Sequence, residues 1–347
     1  MRRSYSRKWA MEMKDDFAYH VTKFFAEYLP LHIGASSNTC KSYRDAFVQL
    51  LNFTESECGI ASSRVSLDLI TANIIEKFLL HLESSSGVST STRNQRLAAI
   101  HSFFRYLQRK DLTRFSQCSD IISIPFKKNP KPVMSYLSIE ETEVFLSIPD
   151  VSSKKGLRDL AIIAVLYECA ARVQELIDLT LSSLHILNGS PYIELRGKGN
   201  KLRRVPIAED VSDILKKYLE AYCIAHPSDS LFFNSQMKKL TRAGVQHIVN
   251  KYIDFAKKIK PGFFQQKITN HSLRHSKAMH LLEAGVNLIY IRDFLGHSSV
   301  TTTEIYAKTN PEVKRRILTE NNMLASSGVQ YDASEKNDLL DWLKNSL

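Results

Sequence analysis

The sequence predicts a mainly α-helical protein of two domains that carries one small β-hairpin. Its 347 residues are enough for two domains of ordinary size. Apolar residues recur at helical spacing through both halves of the chain, and two short alternating segments flank a glycine-containing turn. Between the two halves, residues 113–134 are rich in proline and lysine, which predicts a linker.

Residues 15–112 predict a bundle of four helices. We expect Pro30 to end the first helix, Thr71 to begin the third, and Ser91 or Thr92 to cap the fourth. The four apolar stripes run from Phe17 to Tyr28, from Tyr43 to Leu51, from Ile74 to Leu82 and from Leu97 to Leu107. Short connections between these stripes are typical of a compact helical domain.

Two basic segments border this bundle. Residues 1–14 form a basic N-terminal tail, which is either a frayed terminus or a segment that contacts DNA. The linker at 113–134 contains three prolines, which discourage regular structure, and three lysines between them. These residues are Pro125, Pro130, Pro132, Lys127, Lys128 and Lys131.

The second domain is predicted at 135–322. Ser138 and Glu141 form a capping box, and the apolar run at 157–168 predicts a buried central helix. Two alternating strands, Tyr192–Leu195 and Arg203–Ile207, flank the turn Gly197-Lys198-Gly199-Asn200. Residues 323–347 form a C-terminal tail that ends in an amphipathic helix, whose leucines need a surface to pack against.

Composition narrows the class of protein. The formal net charge is +11, with 47 basic against 36 acidic residues, which favours a polyanionic partner such as nucleic acid. No apolar run approaches about 18 residues and no signal peptide is indicated, so we expect a cytoplasmic protein without a membrane partner. No cofactor motif is present. The five cysteines are scattered and indicate neither a disulfide framework nor a zinc site. They are Cys40, Cys58, Cys118, Cys169 and Cys223.

The segment from His271 to Tyr306 concentrates side chains that can act on a phosphate. His271 and Arg274 are three residues apart and share a helix face. Gly296 is expected to end a helix, which leaves His297 in the following turn. Thr301 and Glu304 then fit a capping box for a short helix that carries Tyr306. Folding this segment back on itself gathers two histidines, one arginine and one tyrosine.

These residues carry a family resemblance. The ordered motifs H-x-x-R-H-S, L-G-H-S and T-T-x-x-Y are similar to the C-terminal signature of the tyrosine recombinases, which include phage integrases and Xer-type enzymes. The resemblance implies an N-terminal helical core-binding domain of SAM-like fold and an α+β catalytic domain. It also implies no metal and no cofactor.

The resemblance extends to two further positions. The family's first catalytic arginine matches Arg172, which is followed by Glu175-Leu176, although Ala170 stands where the family usually has glycine. The family's hairpin lysine matches Lys198. Lys201 remains an alternative for that role, because a shift of one residue in register would exchange the two lysines.

The implied chemistry is metal-free cleavage of a phosphodiester. Tyr306 would attack phosphorus and form a 3′-phosphotyrosyl link while Arg172 and Arg274 stabilise the transition state. Lys198 would protonate the leaving 5′-oxygen. His271 would assist removal of the Tyr306 proton, and His297 would hydrogen-bond the phosphate.

The implied partner is double-stranded DNA with paired inverted half-sites. One dimer per site would form a tetrameric synapse and exchange strands through a Holliday junction, with the C-terminal helix docking on the neighbouring protomer. The candidate DNA-contacting residues are Lys41, Arg44, Arg93, Arg96, Lys127, Lys128, Lys131 and Lys201.

Two other functions remain open from the sequence. A type IB topoisomerase uses a similar set of residues to nick and close DNA without sequence preference, and a catalytically silent DNA-binding protein would keep only the binding surface. The sequence does not distinguish integration of a mobile element from dimer resolution or DNA inversion, and the target site cannot be read from it.

Overall fold

The computed structural model describes residues 17–85, 87–129, 134–186, 189–297, 299, 303, 305 and 306, with the side chain of Lys198 excepted. The chain divides into two units, Met1–Pro132 and Val133–Leu347. Several predicted features lie outside the described residues: the basic tail at 1–14, Lys131, the capping pair Thr301 and Glu304, and the C-terminal tail at 323–347.

The regular structure in the described residues of the first unit is entirely helical. Its α-helices are α1 (Phe17–Lys23), α2 (Ser37–Cys58), α3 (Ala72–Ser84), α4 (Thr90–Lys110) and α5 (Phe115–Ile122). Side chains from α1, α2 and α4 pack edge-to-face in its core, with the Phe103 ring centred 5.9 Å from that of Phe17 and 5.3 Å from that of Phe47. The predicted helical bundle is therefore present, with one helix more than the sequence indicated.

Two boundaries differ from their predictions. Pro30 does not end the first helix, because α1 continues as a π-helix, Phe24–His32, that contains Pro30. The wider turn changes the hydrogen-bond register, so that the Ile33 N–H donates to the Tyr28 carbonyl at 3.1 Å. The cap of α4 is Ser89, whose hydroxyl accepts from the Thr92 N–H, and not Ser91 or Thr92.

The predicted extended linker also begins with regular structure. Helix α5 lies within 113–134, and it buries Cys118 and Ile121 in the core of the helical unit. These two residues are three apart, which is the spacing of one helical face. The prolines at 125 and beyond stop this helix but do not prevent it, so its first turns belong to the bundle.

The second unit is α+β. Its elements in order are α6 (Ile139–Ser147), α7 (Lys154–Glu168), α8 (Val173–Ile177), β1 (Leu184–His185), β2 (Tyr192–Arg196), β3 (Leu202–Pro206), α9 (Glu209–Tyr222), α10 (Arg242–Ile259), α11 (Asn270–Glu283) and α12 (Leu288–Leu295). The strands form an antiparallel sheet in the order β1-β2-β3, in which Glu194 pairs with Arg204. The short β1 was not predicted, since two residues show no alternation.

Local predictions in this unit are confirmed. Ser138 and Glu141 form both bonds of the capping box at the start of α6. Helix α7 is buried along residues 156–166 and forms the centre of the core. At the end of α12, Gly296 adopts the left-handed conformation (φ 62°) and caps the helix as expected.

Helices α11 and α12 build a separate small apolar cluster. Leu282 of α11 packs there with Ile291 and Leu295 of α12, and the ring of Tyr306 completes the cluster. This packing fixes where the chain after α12 returns to α11. Within the described residues, no helix is long and apolar enough to cross a membrane.

Candidate active site

Arg172 is presented by a strained turn after the buried helix α7. Ala170, which stands at the family's glycine position, has a φ of 44°. A side chain in this left-handed region is disfavoured by roughly 1–2 kcal/mol, and glycine avoids this strain. Arg172 follows as the N-cap of α8, and its side chain is 35% exposed. Alanine in place of the family's glycine therefore allows the same turn but adds backbone strain at Ala170.

A carboxylate that two arginines share orients Arg172. Arg172 Nη1 donates to Glu175 Oε1 at 2.7 Å, while Arg203 Nη1 and Nη2 donate to the two carboxylate oxygens at 3.0 and 2.8 Å. Burial opposes ionisation of Glu175, yet hydrogen bonds and charge from Arg203 and then Arg172 hold its pKa below the ordinary value. The three side chains carry one net positive charge.

Gly296, at the end of α12, lies beside Arg172 and Arg203. Arg172 Nη2 donates to the Gly296 carbonyl at 3.3 Å. A Cβ added to Gly296 would lie 3.1 Å from Arg203 Nη1 and 3.2 Å from its Cδ. Gly296 is therefore needed both for its left-handed backbone and for the space that Arg203 occupies.

Arg274 is completely buried. Its Nη1 donates to the Ala170 carbonyl at 2.7 Å and its Nη2 to the Leu295 carbonyl at 2.5 Å, so it ties α11 to the turn before Arg172 and to the end of α12. Its Nε has no acceptor among the described residues. Burial, followed by the charges of Arg172 and Arg203, lowers the pKa of Arg274 to about 10, which leaves it a cation at neutral pH.

Tyr306 lies against α11 with 1% of its surface exposed. Its hydroxyl is 3.0 Å from His275 Nδ1. Burial raises the pKa of Tyr306, whereas the charges of Arg274 and Arg172 oppose that rise. The tyrosine and both predicted arginines are thus close enough to influence one another.

The two histidines of the predicted site lie near the same arginines. His271 contacts the ring of His275 (centroids 4.4 Å apart), and burial, Arg274 and Arg172 lower its pKa. In this structure His275 is the residue hydrogen-bonded to the Tyr306 hydroxyl, and the role of His271 there stays a prediction. His271 and His275 are one helical turn apart, so α11 presents both on one side.

His297 occupies the turn after α12, as predicted. Its Nδ1 is 3.1 Å from the hydroxyl of the buried Thr303. Burial, followed by Arg274 and Arg172, lowers the pKa of His297 to about 4. The ring is therefore neutral near pH 7.

The hairpin lysines have a defined backbone. A turn over Lys198–Asn200 joins β2 to β3, and the Gly197 N–H donates to the Lys201 carbonyl at 2.8 Å. Lys201 is exposed, and the Lys198 side chain lies outside the description. Arg203 on β3 connects this hairpin to Glu175.

The DNA-contact candidates of the helical unit fall into two groups. Lys41, Arg44 and Lys128 are exposed, and Lys127 is exposed but forms an ion pair with Glu83. Two other candidates are held inside the unit. Arg93 is buried and donates to the Pro125 carbonyl at 3.1 Å, whereas Arg96 donates to Gln49 Oε1 at 2.9 Å. For Arg93 the prediction of a phosphate contact is wrong, because its guanidinium secures the segment after α5.

Sequence reasoning missed two residues of the site, Arg203 and His275. Spacing offered a signal for His275, which is four residues after His271 and therefore on the same helix face. No local signal marked Arg203, whose partner Glu175 is 28 residues away.

Comparisons with known proteins agree with this arrangement. Residues 135–312 match the phage integrase family, and residues 23–111 match the N-terminal SAM-like domain of phage integrases. The Sinorhizobium fredii protein y4rC, which carries an integrase/recombinase name, is 34% identical over 90% of this chain and 93% of its own length. Tyrosine recombinase XerD of Halalkalibacterium halodurans is 32% identical over 81% of this chain and 90% of its own.

A solved structure also resembles the chain. The XerH site-specific recombinase, bound to palindromic difH substrate in a post-cleavage complex, superposes with a TM-score of 0.64 and 25% identity, covering 82% of this chain and 80% of that one. The predicted fold class is confirmed by these matches and by the observed SAM-like and catalytic units. The chain belongs to the phage integrase family and is a tyrosine site-specific recombinase.

Proposed function

We propose that the chain cuts and rejoins double-stranded DNA through a 3′-phosphotyrosyl bond to Tyr306. The observation that carries this proposal is the convergence of Tyr306, Arg274 and Arg172 in one unit, where both arginine charges act on the phenol. A phenol with a pKa near ~10 is a weak nucleophile at neutral pH, so it needs such cations and a proton acceptor.

The two arginines have complementary roles. Arg172 has one exposed edge, and Glu175 fixes its direction, so it serves as the donor that meets an incoming phosphate. Arg274 supplies a positive charge in a buried setting where water screens it little. Preorganised donors of this kind typically contribute about 3 kcal/mol each to a transition state in which charge develops on oxygen.

Histidines and a lysine complete the reaction. His271 and His297 lie near both arginines, so we expect their neutral rings to contact a phosphate held there. Lys198, or Lys201 in the alternative register, protonates the 5′-oxygen as it leaves. Since the covalent link preserves the energy of the phosphodiester, rejoining to another strand needs neither ATP nor metal.

Strand exchange requires more than one subunit. XerH is described on a palindromic substrate, and a palindrome presents two inverted half-sites to two protomers. We assign to this chain the same kind of partner, with a dimer per site and a tetramer in the synapse. The C-terminal helix predicted at the end of 323–347 would dock on the neighbouring protomer. We expect the protein to act in the cytoplasm, where it would meet chromosomal or element DNA.

The test is covalent trapping. Wild-type protein incubated with a nicked suicide duplex, whose cleaved strand diffuses away, should give an SDS-stable protein–DNA band. Tyr306→Phe should bind the same duplex and give no band, since only the attacking oxygen is lost. Tyr290→Phe, which alters an exposed tyrosine of α12, is the matched control and should keep the band. A band from Tyr306→Phe would show that another residue is the nucleophile.

A further inference from the structure

We propose that His275 is the group that accepts the Tyr306 proton during attack on DNA. The inference rests on the proposed function of Tyr306. The family resemblance gave His275 no role. It is carried by a direct contact in the structure, the 3.0 Å distance between His275 Nδ1 and the Tyr306 hydroxyl oxygen.

The contact has hydrogen-bond geometry and a rigid support. The two rings have centroids 5.6 Å apart and are inclined at 59°, so their edges meet and their faces do not stack. His275 lies within α11, next to Arg274, and its ring contacts that of His271, with centroids 4.4 Å apart and ring planes at 71°. The helix therefore fixes the backbone that carries Nδ1.

The neighbouring groups leave the acceptor role to His275. Arg274 carries only N–H donors, and two of them already bond to the carbonyls of Ala170 and Leu295. His297 uses its Nδ1 on Thr303. The nitrogen facing the phenol is thus an imidazole nitrogen that accepts when the ring proton is on Nε2.

The electrostatic surroundings favour a neutral ring before DNA arrives. Burial, followed by the charges of His271, Arg274 and His297, lowers the pKa of His275 to about 4. A phosphodiester between the two arginines adds a negative charge nearby, which offsets those cations and raises the basicity of the ring as the attack begins.

The Tyr306 oxygen forms a bond to phosphorus, its proton moves to His275 Nδ1, and the bond from phosphorus to the 5′-oxygen breaks as that oxygen takes a proton from the hairpin lysine. In the rejoining step a 5′-hydroxyl attacks phosphorus and gives its proton back to the hairpin lysine, while the bond from phosphorus to the Tyr306 oxygen breaks and the released phenolate recovers its proton from the His275 imidazolium. No oxidant, metal or additional reactant is needed.

The experiment measures single-turnover formation of the covalent adduct on a duplex with a 5′-bridging sulfur. This leaving group needs no proton, so the rate reports on activation of the nucleophile. His275→Phe keeps a ring of similar size but has no acceptor. It should slow the adduct about 10²-fold at pH 7, and its rate should rise about tenfold per pH unit up to pH 9, because hydroxide must then ionise the phenol. Wild type should be nearly flat over this range.

Two variants separate this role from packing. His275→Asn retains an acceptor oxygen near the position of Nδ1 but cannot hold the proton. It should keep the melting temperature and DNA binding while losing at least tenfold in rate, with the same steep pH profile. His271→Phe, one turn away, should lower the rate yet keep the flat profile of wild type. An equal deficit at every pH in both His275 variants, or a rate within twofold of wild type, would overturn the proposal.

The nucleophile is checked in the same assay. Tyr306→Phe must give no adduct on the sulfur-bridged duplex. If that variant forms an adduct, the proposed function of Tyr306 fails first and the His275 assignment fails with it. If Tyr306→Phe forms no adduct and His275→Phe forms adduct at the wild-type rate, the His275 assignment alone is refuted.

Discussion

Replacing Gly296 with alanine should damage catalysis more than it damages stability. The residue has a φ of 62°, where a β-carbon is disfavoured by roughly 1–2 kcal/mol. The smaller conformational freedom of unfolded alanine recovers about 0.4–1 kcal/mol of this. The net loss is then about 1 kcal/mol, which corresponds to a fall of roughly 2–4 °C in the melting temperature of a unit of this size.

The larger effect comes from Arg203. The new β-carbon would lie 3.1 Å from Arg203 Nη1 and 3.2 Å from Cδ, whereas carbon atoms pack comfortably at about 3.5–4.0 Å. The guanidinium must therefore shift by a few tenths of an ångström, which disturbs its bonds of 3.0 and 2.8 Å to Glu175. Because Glu175 also orients Arg172, we expect adduct formation to slow about tenfold or more, equivalent to about 1.4 kcal/mol.

Gly285 provides the matched control for this prediction. Its φ is 83°, and a β-carbon there would meet nothing within 4 Å. Gly285→Ala should lower the melting temperature by a similar amount while leaving the rate of adduct formation on the suicide duplex close to wild type. If Gly296→Ala forms adduct as fast as Gly285→Ala does, then contact with Arg203 does not position Arg172 and the reasoning is wrong.

Three further predictions concern pH, the leaving group and salt. The pKa values of His275 and His297 are lowered to about 4, mainly by burial, so the unfolded state binds more protons than the folded state between pH 6.5 and 4. Stability should be full above pH 6.5 and fall as the pH drops toward 4, and calorimetry on His275→Phe should show a shallower decline. Lys198→Ala should recover cleavage on a 5′-bridging sulfur substrate; recovery confined to Lys201→Ala would move the acid to the other side of the turn. Log affinity for DNA should fall linearly with log salt, and Arg44→Ala should reduce that slope by about 1; an unchanged slope would remove Arg44 from the phosphate contacts.

The features that the sequence predicted well depend on neighbours within about four residues. The capping box of Ser138 and Glu141 and the C-cap at Gly296 are written in adjacent positions, and the apolar run of α7 has no alternative to burial. Helix α5 was not predicted, because the downstream prolines indicated a linker without regular structure. A short helix with two apolar residues three apart gives a weaker pattern than three prolines do.

The contacts that connect the site are long-range and could not be predicted from local pattern. Arg274 reaches the Ala170 carbonyl across 104 residues, and Arg203 reaches Glu175 across 28. Residue types alone indicated that cations surround the tyrosine. They did not indicate that Arg274 would donate two hydrogen bonds to main-chain carbonyls, or that His275 would contact the Tyr306 hydroxyl.

The burial of the reacting groups has a consequence for how tightly the enzyme holds its target. Tyr306 is 1% exposed and Arg274 is 0% exposed, so a phosphodiester reaches them only in a rearranged conformation. The apparent dissociation constant equals the intrinsic one divided by the fraction of molecules in that open form. Substitutions that loosen the packing of Tyr306 without touching its chemistry should therefore raise both apparent affinity and cleavage rate, and they offer a route to more active recombinases.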